Sequence, residues 1–438
     1  MAPKRKPLSD GEMESPADSP KPKDDMTEFP ADFAEPVYLV AAREDEKAAY
    51  TVFKIDATAV TSGNTPPRAQ IVAGLSGTEH GMSFVAAHSK HGSWIVAVGG
   101  GLRSGTIIFD PSTLRTYRGP RLMQPKDEPV LISHGGEVYA LSRSPRVVPH
   151  FDFYPWFETL SFNKGVPSID CGVRACWSPL SPPPFFPSSL DPYEFRNPPK
   201  IVVSSYAAVG SHILLSPQPE LRLGTYAFHV VNKTWEKVHD ENLPFVDQAV
   251  PVGGSLYAAY LTSDKASAGS ASLFYMSINT SQSTHDADVS TTSLSIQEFP
   301  VVASMPKVPR PLFCPLGKGK FCFIRLGPCR RSHKNANLFK EVEVVLTTFQ
   351  TENIDAILSA CHSQSSTANN LRVALQVKEQ SHSYNSKGRS RMLYSDIPVV
   401  AALSMNTENI DIFERGAVET RRNQTTNIVE TPVIRCWT

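Results

Sequence analysis

Cys314, Cys322, Cys329 and His333 fall within one short stretch, and thiolates with an imidazole are a donor set that zinc accepts. Their spacing lacks the tight Cys-x-x-Cys pair on which such sites are built. Cys314 and Cys322 also stand among Phe313, Phe321 and Phe323, the setting of small buried hydrophobes in strands. The twelve histidines show no paired ligand spacing, so neither a metal nor a cofactor is expected. No glycine-rich phosphate loop, Ser/His/Asp arrangement or paired-carboxylate motif stands out. No catalytic residue is therefore assigned, and the chain is expected not to be an enzyme.

Recognition chemistry is the next class. The run Pro182-Pro183-Pro184-Phe185-Phe186-Pro187 has the composition of a polyproline II ligand for an aromatic groove. As a rigid connection packed onto the rim of a domain it needs no partner. Tyr117, Trp177 and Trp235 could form a recognition surface, or, at equivalent places of a repeat, could pack one sheet onto the next. Near the start of the chain, Lys4, Arg5 and Lys6 form one basic cluster and Lys21 and Lys23 a second, the pattern of a nuclear-import signal read by an acidic groove. Solvated charge is the plainer account of such runs. Ser15 and Ser19 each precede proline and are candidate phosphosites that would add negative charge beside the second cluster.

With 43 Lys+Arg against 43 Asp+Glu, no global field draws the chain to nucleic acid or to an anionic membrane, and neither is expected as a partner. No segment approaches the run of about eighteen apolar residues that a membrane span requires. The polar N-terminus offers no secretory signal, and seven sparse cysteines fit reduced thiols, so a nuclear or cytoplasmic chain that is not secreted is expected. Residues 1–30 hold six prolines and twelve charged side chains with almost no bulky apolar ones, too little to offset the entropy of ordering. Residues 1–33 are expected to be a disordered leader.

The elements that would position any site come from a repeat. A short apolar strand, a glycine-containing turn and a second apolar strand recur at 84–98, 130–141, 201–215, 249–261 and 312–326. After each come a third strand and often a fourth with an aromatic, most plainly Gly105-Thr106-Ile107-Ile108-Phe109-Asp110 before Tyr117 and Gly224-Thr225-Tyr226-Ala227-Phe228-His229 before Trp235. The turns recur about every forty-four residues, the length of a four-stranded unit. Longer gaps coincide with stretches read as insertions, the proline-rich 179–199 and the Ser/Thr/Asp-rich 280–293. A first unit at 37–43, 50–56 and 70–74 lacks one strand, and Val399-Val400-Ala401-Ala402-Leu403 in the tail is a candidate to complete it by covering an open edge. The pentapeptide Thr-Glu-Asn-Ile-Asp occurs at 351–355 and again at 407–411.

These glycine hairpins, with Phe109-Asp110-Pro111 before Tyr117, resemble the kelch repeat. Trp177-Ser178-Pro179-Leu180 with Pro183-Pro184-Phe185, and Gly224-Thr225-Tyr226-Ala227-Phe228 with Trp235 and Leu243-Pro244-Phe245, are similar to an uncharacterised family of kelch-like proteins abundant in grasses, over roughly residues 37–385. The resemblance implies an all-β fold, a kelch-type β-propeller at 34–385, to which the six repeat units assign six four-stranded blades; residues 386–438 depart from the family pattern and, with mixed composition and no turn-and-strand rhythm, are expected to be a loose, irregular tail. It brings no established activity. A copper-radical oxidase on this fold would need two tyrosines, two histidines and a cysteine on the axis, a set not evident here. A ubiquitin-ligase substrate adaptor would need a helical module, and the sequence shows none. The expectation is a monomeric, non-enzymatic protein-interaction module whose protein partner is unknown. An enzyme with a site in the central channel would instead gather titratable residues from several blades at one mouth.

Overall fold

The computed structural model describes residues 36–42, 50–55, 69–100, 105–145, 156–169, 175–187, 197, 199–262, 268–282, 290–306, 312–317, 319–326, 330–332, 335–363, 371, 373–384 and 399–405. The chain divides into Met1–Asp32 and Phe33–Thr438. The first unit lies outside the described residues, and the fold is that of the second.

That unit is all-β, and most of its strands come in chain order as antiparallel runs of four. The first three strands are β1 (Val37–Ala42), β2 (Tyr50–Ile55) and β3 (Gln70–Leu75), joined side by side. A second sheet holds β4 (Met82–Ser89), β5 (Gly92–Gly99), β6 (Gly105–Asp110) and β7 (Arg115–Gly119), and a third β8 (Val130–His134), β9 (Glu137–Leu141), β10 (Phe157–Ser161) and β11 (Ser178–Leu180). The fourth run is β12 (Val203–Val209), β13 (His212–Pro217), β14 (Thr225–His229) and β15 (Thr234–His239). The fifth is β16 (Val246–Gly253), β17 (Leu256–Thr262), β18 (Ala268–Gln282) and β19 (Ser290–Pro306). A short parallel pairing of β12 with β16, Ser205 with Asp247 and Tyr206 with Gln248, joins these two runs edge to edge. The sixth sheet holds β20 (Leu312–Gly317), β21 (Lys320–Leu326), β22 (Arg330–Ser332), β23 (Asn335–Thr351) and β24 (Leu375–Tyr384). The last strand, β25 (Val399–Ser404), pairs antiparallel with β1, so the sequence-distant tail strand lies in the first sheet, in the order β25-β1-β2-β3.

Each sheet buries both faces, as the strand sequences foretell: VYLVAA in β1 and VVAALS in β25 are nearly continuous apolar runs, not alternating ones. Along β1, Val37, Leu39 and Ala41 point into one cluster while Tyr38 and Val40 point into another, the period of two that a pleated strand imposes. Among the described residues six apolar clusters result, each uniting two runs. They join first to second around Val52 and Phe109, second to third around Trp94 and Phe162, and third to fourth around Phe157 and Phe228. They go on to join fourth to fifth around Ala207 and Phe274, and fifth to sixth around Tyr260 and Phe323. The sixth cluster unites Leu39, Phe53 and Ala402 of the first sheet with Cys322, Ile324 and Leu346 of the sixth. Successive four-stranded sheets packed face to face in this way are consistent with a β-propeller.

The structure departs from the sequence expectation in two places. The ends of the stretch read as an insertion at 280–293 continue β18 and β19, with Thr280 opposite Thr292, because Ser and Thr sit comfortably on a solvated strand edge. A helix, α1 (Ile354–His362), interrupts the β-pattern between β23 and β24. The strand that follows the helix, β24, begins at Leu375. The first Thr-Glu-Asn-Ile-Asp copy spans the end of β23 and the start of α1; the second lies outside the described residues.

Candidate functional site

Two acidic residues hold backbone conformations that ordinary L-residues avoid. Glu128 has φ +45° just before β8, and Asp247 has φ +59° at the second residue of β16. Such strain persists only where surrounding contacts over-determine it, and it concentrates at functional places. Glu128 is fixed by its N–H, which donates to the Gly81 carbonyl at 2.7 Å.

The connection that carries Glu128 is pinned from beneath. The Lys126 ammonium donates to Glu158 of β10, and the Met123 N–H donates to the other Glu158 oxygen at 2.8 Å. Both charged side chains are wholly inaccessible. Burial pushes the Lys126 pKa down and the Glu158 charge works against that. Removing either partner would leave an uncompensated buried ion, a loss of about 3–5 kcal/mol, so this pair anchors the loop.

Arg143, just after β9, is the hub. Its Nη1 donates to Asp247 Oδ1 at 3.1 Å, and its carbonyl accepts from the Val203 N–H at 2.8 Å. The guanidinium also lies close enough to the Tyr206 hydroxyl of β12 for each to act on the other's ionisation. Arg143 thus links the third sheet to the fourth through its backbone and to the fifth through its side chain. The ion pair remains reachable from solvent, with side-chain exposures of 34% for Arg143 and 27% for Asp247. Tyr50 of β2 extends the group to the first sheet: its hydroxyl accepts from the Met82 N–H at 3.3 Å and lies within reach of the Glu128 and Asp127 charges.

The electrostatics set what this arrangement can do. Burial opposes the Arg143 charge, but Asp247, then Tyr206 and Glu128, outweigh it and push its pKa up. Burial, with the Asp247 charge adding to it, pushes the Tyr206 phenol up, and burial likewise raises Tyr50. All three groups therefore stay protonated at neutral pH. They suit donation of hydrogen bonds to a ligand and not removal of its protons.

The residues singled out from sequence fall elsewhere. Cys314 and Cys322 are opposite one another across β20 and β21, buried in the cluster between the sixth and first sheets, while Cys329 and His333 lie outside the described residues. Cys314, Cys322 and Cys361 are free thiols. Tyr117 and Trp177 pack between the second and third sheets, where the Trp177 indole donates to Thr106 and to the Pro120 carbonyl. Trp235 packs against Phe157 and Phe228 between the third and fourth sheets. Of the proline-rich run, Phe185 and Phe186 are buried in that same cluster. Lys4, Arg5, Lys6, Ser15, Ser19, Lys21 and Lys23 lie outside the described residues. Among the described residues no group of three or more His, Cys, Asp or Glu side chains is disposed to hold a metal ion, and no helix is long and apolar enough to cross a membrane.

Arg143, Tyr206 and Asp247 escaped the sequence reading, and no local signal marks them. They stand in three different hairpin units and share no motif; only tertiary structure brings them together. No curated protein matches the chain. One family model does, over residues 34–384, from just ahead of β1 to the last residue of β24. On that match the chain belongs to the family of proteins of unknown function termed DUF1668.

Proposed function

We propose that the chain is a six-bladed, kelch-type β-propeller that acts as a protein-interaction module, with the Arg143 cluster at the channel mouth as its recognition site. The ring is supported by six successive runs of four or five strands and by the cluster that unites the sixth sheet with the first. The functional reading rests on a single observation, the partly exposed Arg143–Asp247 pair that reaches from the third sheet to the fifth past Tyr206 of the fourth. Such a reach is natural only where inner strand ends converge. In this reading the module works as a monomer, without a cofactor, in the nucleus or cytoplasm.

The same convergence is what an enzyme with a channel site would display, and that is the second reading. The protonated state of Arg143, Tyr206 and Tyr50 favours recognition over proton abstraction. Affinity purification of the tagged full-length chain beside the Arg143→Ala/Asp247→Ala variant, followed by mass spectrometry, tests the proposal. Proteins retained by the natural chain and lost by an equally stable variant are expected. Identical sets from both would remove the mouth as the recognition site.

A further inference from the structure

A pocket of about 480 Å³ opens at the turn end of the second sheet, a full strand length from the Tyr50–Met82 contact. It lies within the size range of small-molecule sites. Tyr38 of β1, Trp94 of β5 and Met405, the residue after β25, supply apolar walls, and Asp110, Ser112 and His91 the polar groups. The Trp94 ring lies against the β4–β5 turn, where a Cβ added to Gly92 would come within 3.3 Å of it.

Among the described residues that line this pocket Asp110 is the one acidic side chain, and no lysine or arginine accompanies it there. Arg115 is opposite Asp110 in the β6–β7 register but is exposed and not part of the lining. The carboxylate is held in place by the turn after it. Oδ1 accepts from the Ser112 N–H at 2.9 Å and the Ser112 hydroxyl at 2.6 Å, and Oδ2 accepts from the Thr113 hydroxyl at 2.8 Å. Burial acts to raise the Asp110 pKa, but these donors outweigh it and hold it below the usual carboxylate value. His91 is already engaged, its Nε2 donating to the Asn163 carbonyl at 3.1 Å.

We infer that this pocket binds an alkylammonium or alkylguanidinium group, the cation against Asp110 and its apolar stem along Tyr38, Trp94 and Met405. A fixed anion beside two aromatic side chains is the chemistry that favours an organic cation over a neutral isostere. The site is independent of the mouth and does not rest on recognition there.

The test uses the full-length chain and ligand-observed NMR titration with n-butylammonium, n-butylguanidinium and uncharged n-butylurea. A capped Gly-Arg-Gly peptide forms the arm that distinguishes a protein side chain from a free amine as the source. At least one cation is expected to bind about tenfold more tightly than n-butylurea. Asp110→Asn should abolish that preference. Thr113→Ala, which removes the Oδ2 bond but keeps the charge, should retain it and so separates charge from turn geometry. Equal binding of n-butylurea, an unchanged preference in Asp110→Asn, or no saturable binding of any cation would each overturn the inference. Binding of the peptide but not of the free amines assigns the site to a partner's side chain; the reverse assigns it to a small molecule.

Discussion

His88, His134 and His212 are all held neutral by burial, each with its pKa pushed down to about 4. Around His134 the Gly210 backbone and Glu137 pull the other way, while His212 and Lys233 add to the depression. His212 meets His229 across β13 and β14, with ring centroids 4.7 Å apart, and feels the opposing charge of Glu236. In the unfolded chain a histidine takes its proton near pH 6.5, whereas these wait until about pH 4. Their contribution to stability is therefore complete above pH 6.5 and is lost as pH falls from there towards 4. Urea denaturation should show a steady loss between pH 7 and 5, before carboxylates titrate, and His212→Asn should remove about a third of that slope. A flat profile in both proteins would count against burial as the cause. Nothing in the sequence sets these three histidines apart from the other nine, since their neighbours come from separate strands.

At the scale of elements, the hairpin turns were legible and the helix was not, although its signal is present. Ile354, Ile357, Leu358 and Cys361 recur at the spacing of one helix face, and these are the side chains that α1 lays on the cluster between the fifth and sixth sheets. One helix of nine residues set among long strands is easily read as a continuation of the β-pattern. Its seat is the Gly253-Gly254 turn: Gly254 has φ +58°, and a Cβ there would come within 3.0 Å of Leu358. Gly210 has nearly the same backbone, φ +55°, with nothing within 4 Å of an added Cβ. Gly210→Ala should thus lose only the backbone term, about 1 kcal/mol, while Gly254→Ala should lose more. Only Gly254→Ala should accelerate amide exchange in Ile354–His362, measured by hydrogen exchange. Equal exchange in the two variants would show that the helix does not depend on this seat.

For the whole molecule the decisive element is β25. The all-β class and the hairpin positions could be read from strand pattern and glycine turns, because those are local. The tail strand could be singled out only as a candidate, since partner choice depends on which edge is left open. The structure seats it on β1 with Val37 opposite Ser404 and Val40 opposite Ala401, and a register shift comes between Val40 and Ala41. Without it, β1 would present an unpaired edge, and two apolar clusters would lose Val399, Ala401, Ala402 and Leu403. A chain ended after residue 398 should therefore aggregate or unfold without cooperativity, whereas one ended after residue 405 should melt in a single transition. Calorimetry with size-exclusion chromatography distinguishes them, and equal behaviour would show that β25 is dispensable.

The pairing of Val37 with Ser404 also imposes a schedule on biosynthesis. A ribosome adds about 5–20 residues per second, so roughly 20–70 seconds separate the emergence of β1 from that of the strand that covers it. Throughout that interval the strand that covers this edge in the folded protein has not yet been made. Codon usage and chaperone occupancy along this message thus bear most heavily on the opening strand, which is translated first and protected last.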